Sequence, residues 1–556
     1  MVIKVTSGIR RRGPFPHLLC AGAWLLLVLV ALSARTLWPV DETRYVSVAW
    51  EMWLRGDFLV PYLNGAPYSH KPPLLFWLIH SGWALFGVNE WWPRLIPGLF
   101  SLAGLFMGAY VARLLWPQQN GIAESVPWIL LGAALWVLFT TLVFFDMLVV
   151  FFTLLGIIGI LHAWRHHPAR GFAVLGLAIG LGVLAKGPVI LLHLLPVSLL
   201  APWWIGERRS WPRWYLGVTL ALLLGAAIAL AWAIPAALRG GEEYGNAIFW
   251  GQTARRMVNS FAHQRPWWWY FPLLPVLLFP WLIWPALWRG FKQLAAGPAP
   301  AMAETGVRFC LAWIMPVFIA FSFISGKQPH YLLPLFPAFA LLAARALQNM
   351  APRRRDNFPV GAVLISFGAL LMSAPALAEH YPVLPAWLHE NSLLPGVVSA
   401  GIGMLLLFLH PALPLQRVIA LSLASVLMIS TLYLTLIRSA AHAYDLHAAS
   451  AYIAELQRAG HPVAYIDKYH GQFQFLGRLR EPLRVIGGAQ VQDWIQAHPG
   501  GRVVSAEDNW RPAGNPRPEF SQPYRGKILS IWGREALTSS PFGDTPHAAP
   551  AVTPEE

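Results

Sequence analysis

The chain has 556 residues, of which 56% are hydrophobic and only 12% charged. Soluble domains average about 25% charged residues, so a soluble enzyme is excluded, and recurrent apolar runs of about twenty residues identify a polytopic membrane protein. The net charge of +15 is what basic residues in short cytoplasmic loops produce, and it calls for no nucleic-acid partner.

A basic amino end, Lys4 to Arg12, precedes an apolar run from Leu18 to Trp38. That run is too long for the core of a signal peptide and is read as a retained first span. A polar loop follows, from Asp41-Glu42-Thr43-Arg44-Tyr45 to His70-Lys71-Pro72-Pro73. Its first part starts an amphipathic helix (Tyr45, Val48, Ala49, Met52, Trp53) suited to lying along the membrane. A carboxylate held at that surface can act as a general base, although interfacial ion pairing or helix capping would account for either acid alone. Paired prolines keep the backbone extended and present Lys71 on a rigid segment. There it can hold a phosphate beside Arg44 or simply snorkel to lipid headgroups.

About thirteen crossings are expected in all. They begin near Leu18, Arg94, Val126, Phe145, Gly171, Pro188, Trp214, Trp268, Arg308, Tyr331, Phe358, Pro395 and Arg417. With Arg10 to Arg12 cytoplasmic, alternation puts Arg165 to Arg170, Arg289 to Lys292 and Arg353-Arg354-Arg355 on the cytoplasmic side too, as the positive-inside rule requires. The opposite face then collects nearly every unusual polar residue. It receives the Asp41–Lys71 loop, Asp146, Lys186, the 239–267 loop with His263 and Arg265, and Lys327 with Tyr331. An isolated acid such as Asp146 between apolar spans is costly, which favours a paired or functional role. The tryptophans at 267 to 269 read as an interfacial belt or as a stacking surface for a sugar. His70 and His263 are the candidate pair for a divalent metal. Cys20 and Cys310 sit in apolar spans and suggest neither a disulfide nor a metal site.

After residue 438 the pattern changes. Ala449–Gly460 has helical periodicity, the segments from Val463, Leu483 and Arg502 read as short strands, and Val491–Gln496 reads as a helix. A small external α/β domain over 439–538 is expected, with a Pro/Ala/Thr-rich disordered tail over 539–556. The membrane domain takes 1–438, including a juxtamembrane loop over 39–93.

Asp41-Glu42-Thr43-Arg44-Tyr45, Gly56-Asp57-Phe58, Pro61 to Gly65 and Lys71-Pro72-Pro73-Leu74 with Trp77 resemble the polyprenyl-phosphate-sugar-dependent GT-C glycosyltransferases. The branch is that of the bacterial lipid A aminoarabinose transferase. Phe145-Asp146-Met147, Leu184 to Pro188, His263 to Tyr270 and Gly326-Lys327 to Pro334 match the branch in order and spacing. The resemblance covers the whole membrane part. It implies an all-α polytopic GT-C fold in the bacterial inner membrane, with the active site facing the periplasm. It further implies an inverting transferase that moves a sugar, most simply 4-amino-4-deoxy-L-arabinose, from an undecaprenyl-phosphate donor to lipid A or another periplasmic glycan, lipid or protein. Asp41 and Asp146 would be the catalytic acids. Arg44, Tyr45, Lys71, Lys186, His263, Arg265, Lys327 and Tyr331 would contact substrate. No cofactor is required. His70 stands where the aminoarabinose transferase has a glutamate, a departure at the metal contact. A protein mannosyltransferase-like activity and a lipid-linked sugar flippase are the alternatives; a flippase predicts functional residues on both faces.

Overall fold

The computed structural model describes residues 15–538 except 166, 252–263, 297–300, 349, 352, 382–383, 390–391, 410, 507–509 and 513–515. The expected tail and His263 lie outside the described residues.

Helix α1 (Phe15–Ala34) has no charged side chain; it buries Cys20, Trp24, Leu27 and Ala31 and turns Leu18, Leu25 and Leu29 outward. That outward apolar face suits lipid. Helix α2 (Asp41–Arg55) places both acids in its first turn, where the helix dipole favours negative charge. It buries Tyr45, Val48, Ala49 and Met52 on one side and ends at Gly56, whose φ of 64° few other residues adopt. A short hairpin, β1 (Tyr62–Leu63) with β2 (Ala66–Pro67), turns through Asn64-Gly65, both with positive φ, as a two-residue hairpin turn demands. After the two prolines come α3 (Leu74–Phe86) and α4 (Trp91–Leu115).

Among the described residues nine helices are long and apolar enough to cross a membrane, and a bent pair, Asn120–Gly132 with Ala134–Thr140, makes a tenth. The segment expected to cross from Trp268 is broken into Tyr270–Leu277 and Trp281–Ile283. Pro280, between the two pieces, has no amide to donate and stops the first helix from running on. Glycines let neighbouring helices close up: a Cβ on Gly171 would meet the Ala163 amide nitrogen at 2.3 Å.

The carboxyl-terminal part is a five-stranded sheet. In sequence order its strands are β3 (Val463–Ile466), β4 (Arg484–Ile486), β5 (Arg502–Ala506), β6 (Phe520–Tyr524) and β7 (Lys527–Trp532); across the sheet the order is β4-β3-β5-β7-β6. β3 runs parallel to β4 and β5, while β7 is antiparallel to β5 and β6. Alternation along β3 sends Val463 and Tyr465 to the helix His447–Arg458 and Ala464 and Ile466 to Val491–Ala497. Strands β6 and β7 had no counterpart in the sequence reading. Pro523 hid β6, and it is tolerated because β6 is an edge strand.

This unit is docked on the first loop. The Trp50 indole donates to the Leu479 carbonyl at 2.9 Å, the Phe475 amide donates to Ser47 Oγ at 3.1 Å, and the Phe475 ring stacks on Trp83 at 5.3 Å.

Candidate functional site

Asp41 opens α2 with its side chain 44% exposed. It forms an ion pair with Arg44, one helical turn on, and accepts a long 3.4 Å hydrogen bond from the Tyr45 hydroxyl. Tyr45 itself is buried, with its ring edge-on to Phe144 and Phe145.

The adjacent Glu42 has a different environment. It is buried, pairs with both terminal nitrogens of buried Arg35, and accepts the amides of Trp38 at 2.9 Å and Val143 at 2.7 Å. Arg35 also donates to the Thr141 carbonyl at 2.6 Å. This node fastens the start of α2 to the Thr141–Val143 turn. That turn in turn delivers Asp146, the first residue of the helix Asp146–Arg165.

Asp146 is buried, and Lys186, at the end of Pro168–Lys186, donates to its Oδ1 at 2.6 Å. Its Oδ2 is buried with no hydrogen-bond partner among the described residues. A buried carboxylate costs too much without a cation, and Lys186 answers that cost through one oxygen while the other stays available. Lys71 and His330 also act electrostatically on Asp146. Lys71 Nζ lies 5.7 Å from the Phe145 ring, and Lys186 Nζ lies 5.1 Å from the Tyr331 ring. Asp41 in turn acts on His330, so both acids and their cations share one electrostatic neighbourhood.

Asp41, Arg44, Tyr45, Lys71, Asp146, Lys186 and Tyr331 are thus gathered at one end of the bundle. Lys327 and Arg265 are arranged differently. Lys327 is buried and donates to the carbonyls of Arg265 at 2.9 Å and Ile324 at 2.5 Å. The Arg265 amide donates to the Ser325 carbonyl, and the Arg265 guanidinium sits 5.8 Å from the Trp269 ring. The Lys327 ammonium therefore ties two loops together. His70 stacks on Tyr68 at 5.1 Å. Among the described residues no three His, Cys, Asp or Glu side chains come together to hold a metal.

The residues alone do not point to the Arg35–Glu42 node or His330, nor to Tyr68, which acts on Arg44, and His470, on which Arg44 and Asp41 act. His330 lies inside the 326–334 motif and could have been found there. His470 could not, because 429 residues separate it from Asp41, and only the docked sheet joins them.

Residues 70–238 match the family described as dolichyl-phosphate-mannose-protein mannosyltransferase. The undecaprenyl phosphate-alpha-4-amino-4-deoxy-L-arabinose arabinosyl transferase 2 of Pseudomonas fluorescens is 32% identical over 61% of this chain and 60% of its own length. A Pseudomonas aeruginosa transferase of the same description is 32% identical over 64% of each chain. The chain thus spans a little under two thirds of these relatives. The crystal structure of ArnT from Cupriavidus metallidurans bound to undecaprenyl phosphate superposes with a TM-score of 0.73 at 19% identity, covering 94% of this chain and 98% of that one. Its apo form gives 0.72. This multi-pass membrane protein has a GT-C fold of the aminoarabinosyl-transferase type, and in sequence it is similar to those transferases.

Proposed function

We propose that the protein is an inverting glycosyltransferase that moves 4-amino-4-deoxy-L-arabinose from undecaprenyl phosphate to lipid A at the periplasmic face of the inner membrane. The observation that carries this reading is the pairing of an accessible carboxylate, Asp41, with a buried one, Asp146, among Arg44, Lys71 and Lys186 at one end of a GT-C fold. The crossings would number about thirteen, with Val189–Leu199, Leu394–Phe408 and the broken 270–283 segment spanning as well. Residues 1–438 would form the transferase domain and 439–538 a periplasmic domain.

In the reaction, an acceptor oxygen attacks the anomeric carbon from the face opposite the carrier. The bond from that carbon to the phosphate oxygen breaks, and its electron pair leaves with undecaprenyl phosphate. Lys71, Arg44 and Tyr331 would hold that phosphate and stabilise its developing charge. If the acceptor is a hydroxyl, Asp41 takes its proton; if it is an ionised phosphate, no proton moves and Asp41 positions the sugar. The Oδ2 of Asp146 would accept from the donor sugar, while Lys186 holds its Oδ1. Arg265 and Lys327 would act by shaping the cavity wall.

The test is transfer by the purified protein in nanodiscs, read by mass spectrometry of lipid A. Asp41→Asn should lower the rate by at least about 10²-fold while the protein stays folded and keeps its affinity for undecaprenyl phosphate. Full activity of that variant would remove Asp41 from the mechanism. The match to a mannosyltransferase family favours one alternative donor, polyprenyl-phosphate mannose. Transfer from that donor alone would keep the class and change the sugar.

A further inference from the structure

Contacts from the loop after β3 to α2 and the β1–β2 hairpin bring one end of the C-terminal sheet to the candidate site. β3 and β5 are parallel and β7 is antiparallel to β5, so the carboxyl end of β3 and the β6–β7 turn lie at the same end of the sheet. In open α/β sheets the edge beyond the carboxyl ends of parallel strands is where ligands bind. The loop after β3 carries Lys468 and His470, and the β6–β7 turn carries Arg525.

That loop is held in register by α2 and the β1–β2 hairpin. The Phe475 amide donates to Ser47 Oγ at 3.1 Å, and Gln474 donates to Asn64 Oδ1 at 2.8 Å. Gly471, at φ 75°, packs so closely on Leu63 that a Cβ there would sit 2.3 Å from its Cδ1. With Phe475 fixed one turn beyond Arg44 on α2, His470 falls beside the start of that helix. Arg44, Lys468 and Arg525 act on it as cations and Asp41 as a carboxylate. Burial, and then Arg44 and Lys468, push the imidazole down to about 4, so it is a neutral donor and acceptor at neutral pH. Lys468 and Arg525 are exposed, and the Arg525 amide anchors the turn to the Ala443 carbonyl at 2.8 Å.

We propose that Lys468, His470 and Arg525 form the acceptor-binding lip of the site, holding the anionic group of a phosphorylated acceptor over Asp41. The inference rests on the glycosyl-transfer reading above and adds to it a division of labour. The membrane part holds the carrier phosphate through Lys71 and Arg44, and the C-terminal sheet holds the acceptor. Two exposed cations beside a neutral imidazole favour an anion, and their charge-assisted hydrogen bonds supply orientation as well as affinity.

The experiment measures binding of three probes to the full-length protein in nanodiscs: diphosphoryl lipid A, dephosphorylated lipid A and undecaprenyl phosphate. The wild type should prefer the diphosphoryl lipid. Lys468→Ala with Arg525→Ala should reduce that preference roughly tenfold or more, leave undecaprenyl phosphate affinity unchanged, and raise the acceptor KM with little effect on kcat. Lys468→Arg should restore most of the preference. His470→Gln keeps a neutral hydrogen-bonding side chain and should keep more of the preference than His470→Ala. An unchanged preference in the double variant overturns the proposal. An equal loss of carrier affinity, which would mean the loop only supports α2, overturns it too. A wild-type protein that prefers the diphosphoryl lipid through this lip yet transfers no sugar would overturn the transfer reading and leave the lip standing.

Discussion

Asp41 and Glu42 are neighbours in sequence with opposite tasks. Successive residues on a helix point about 100° apart, so one acid reaches the open end of the bundle and the other turns into it. Nothing in the pair Asp-Glu says which is which. The distinction comes from Arg35, Trp38 and Val143, whose donors converge on Glu42 alone. Removing one member of a buried ion pair leaves the other charge uncompensated, at a cost of about 3–5 kcal/mol. Glu42→Ala should therefore lower the thermal unfolding midpoint sharply and reduce the yield of folded protein. Asp41→Asn, at a half-exposed position, should shift that midpoint little. Equal shifts in the two variants would contradict the division of roles. The site cations divide in the same way: Lys186 and Lys71 face Asp146, whereas Lys327 is taken up by two carbonyls. Lys186 and Lys327 look alike in the sequence, because the Arg265 carbonyl that helps to capture Lys327 lies 62 residues away and only the fold brings it near.

The elements were legible to different depths. Long apolar runs gave the major spans, and alternation gave β3, β4 and β5 within a residue or two. The proline-broken 270–283 segment and the proline-bearing β6 were obscured, since local composition and tertiary role disagree there. The hairpin at Asn64-Gly65 is a further case, since its turn chemistry was readable and its partner was not. Asn64 donates to the Leu483 carbonyl at 2.9 Å and accepts from the Leu483 amide and from Gln474, each at 2.8 Å. One side chain thus imitates a β-bridge between the membrane part and the sheet. Asn64→Ala leaves those groups unmatched, at a cost of about 1–3 kcal/mol. Amide exchange over 470–485 should speed up while exchange in the β5–β7 ladder stays slow, because only the docking contact is lost. Uniformly faster exchange across the sheet would instead mean that Asn64 supports the fold of the unit itself.

For the whole molecule, the sidedness derived from charge placed the candidate residues on one face, and the structure gathers most of them at one end of the bundle. What sidedness could not supply was the docking of the C-terminal sheet, which depends on contacts between residues hundreds of positions apart. One such contact carries a charge that titrates. His447, at the start of the sheet's first helix, hydrogen-bonds Asp445 at 2.6 Å and reaches Glu90, just before α4, at 2.8 Å. Those two hydrogen bonds, Asp445 first, raise the His447 imidazolium to about 10 against the opposing effect of burial. Burial pushes both carboxyls up, but their bonds to His447 outweigh it and hold them below their ordinary values. Arg94, Arg478 and His442 complete the charged surroundings. A histidine raised in this way contributes its full stabilisation below its unperturbed value near 6.5 and loses it as pH climbs toward 10. The carboxyls contribute above their ordinary values near 4 and lose that contribution as pH falls through their depressed ones. The clamp is therefore strongest between about pH 5 and 6.5. Spin-label distances between α3 and the helix His447–Arg458 should broaden progressively from pH 6.5 to 10 in the wild type. In His447→Gln they should be broader at pH 6 and nearly flat over the same range. A wild-type profile that is already flat, or a variant that keeps the full pH response, would show that other groups hold the sheet against the membrane part.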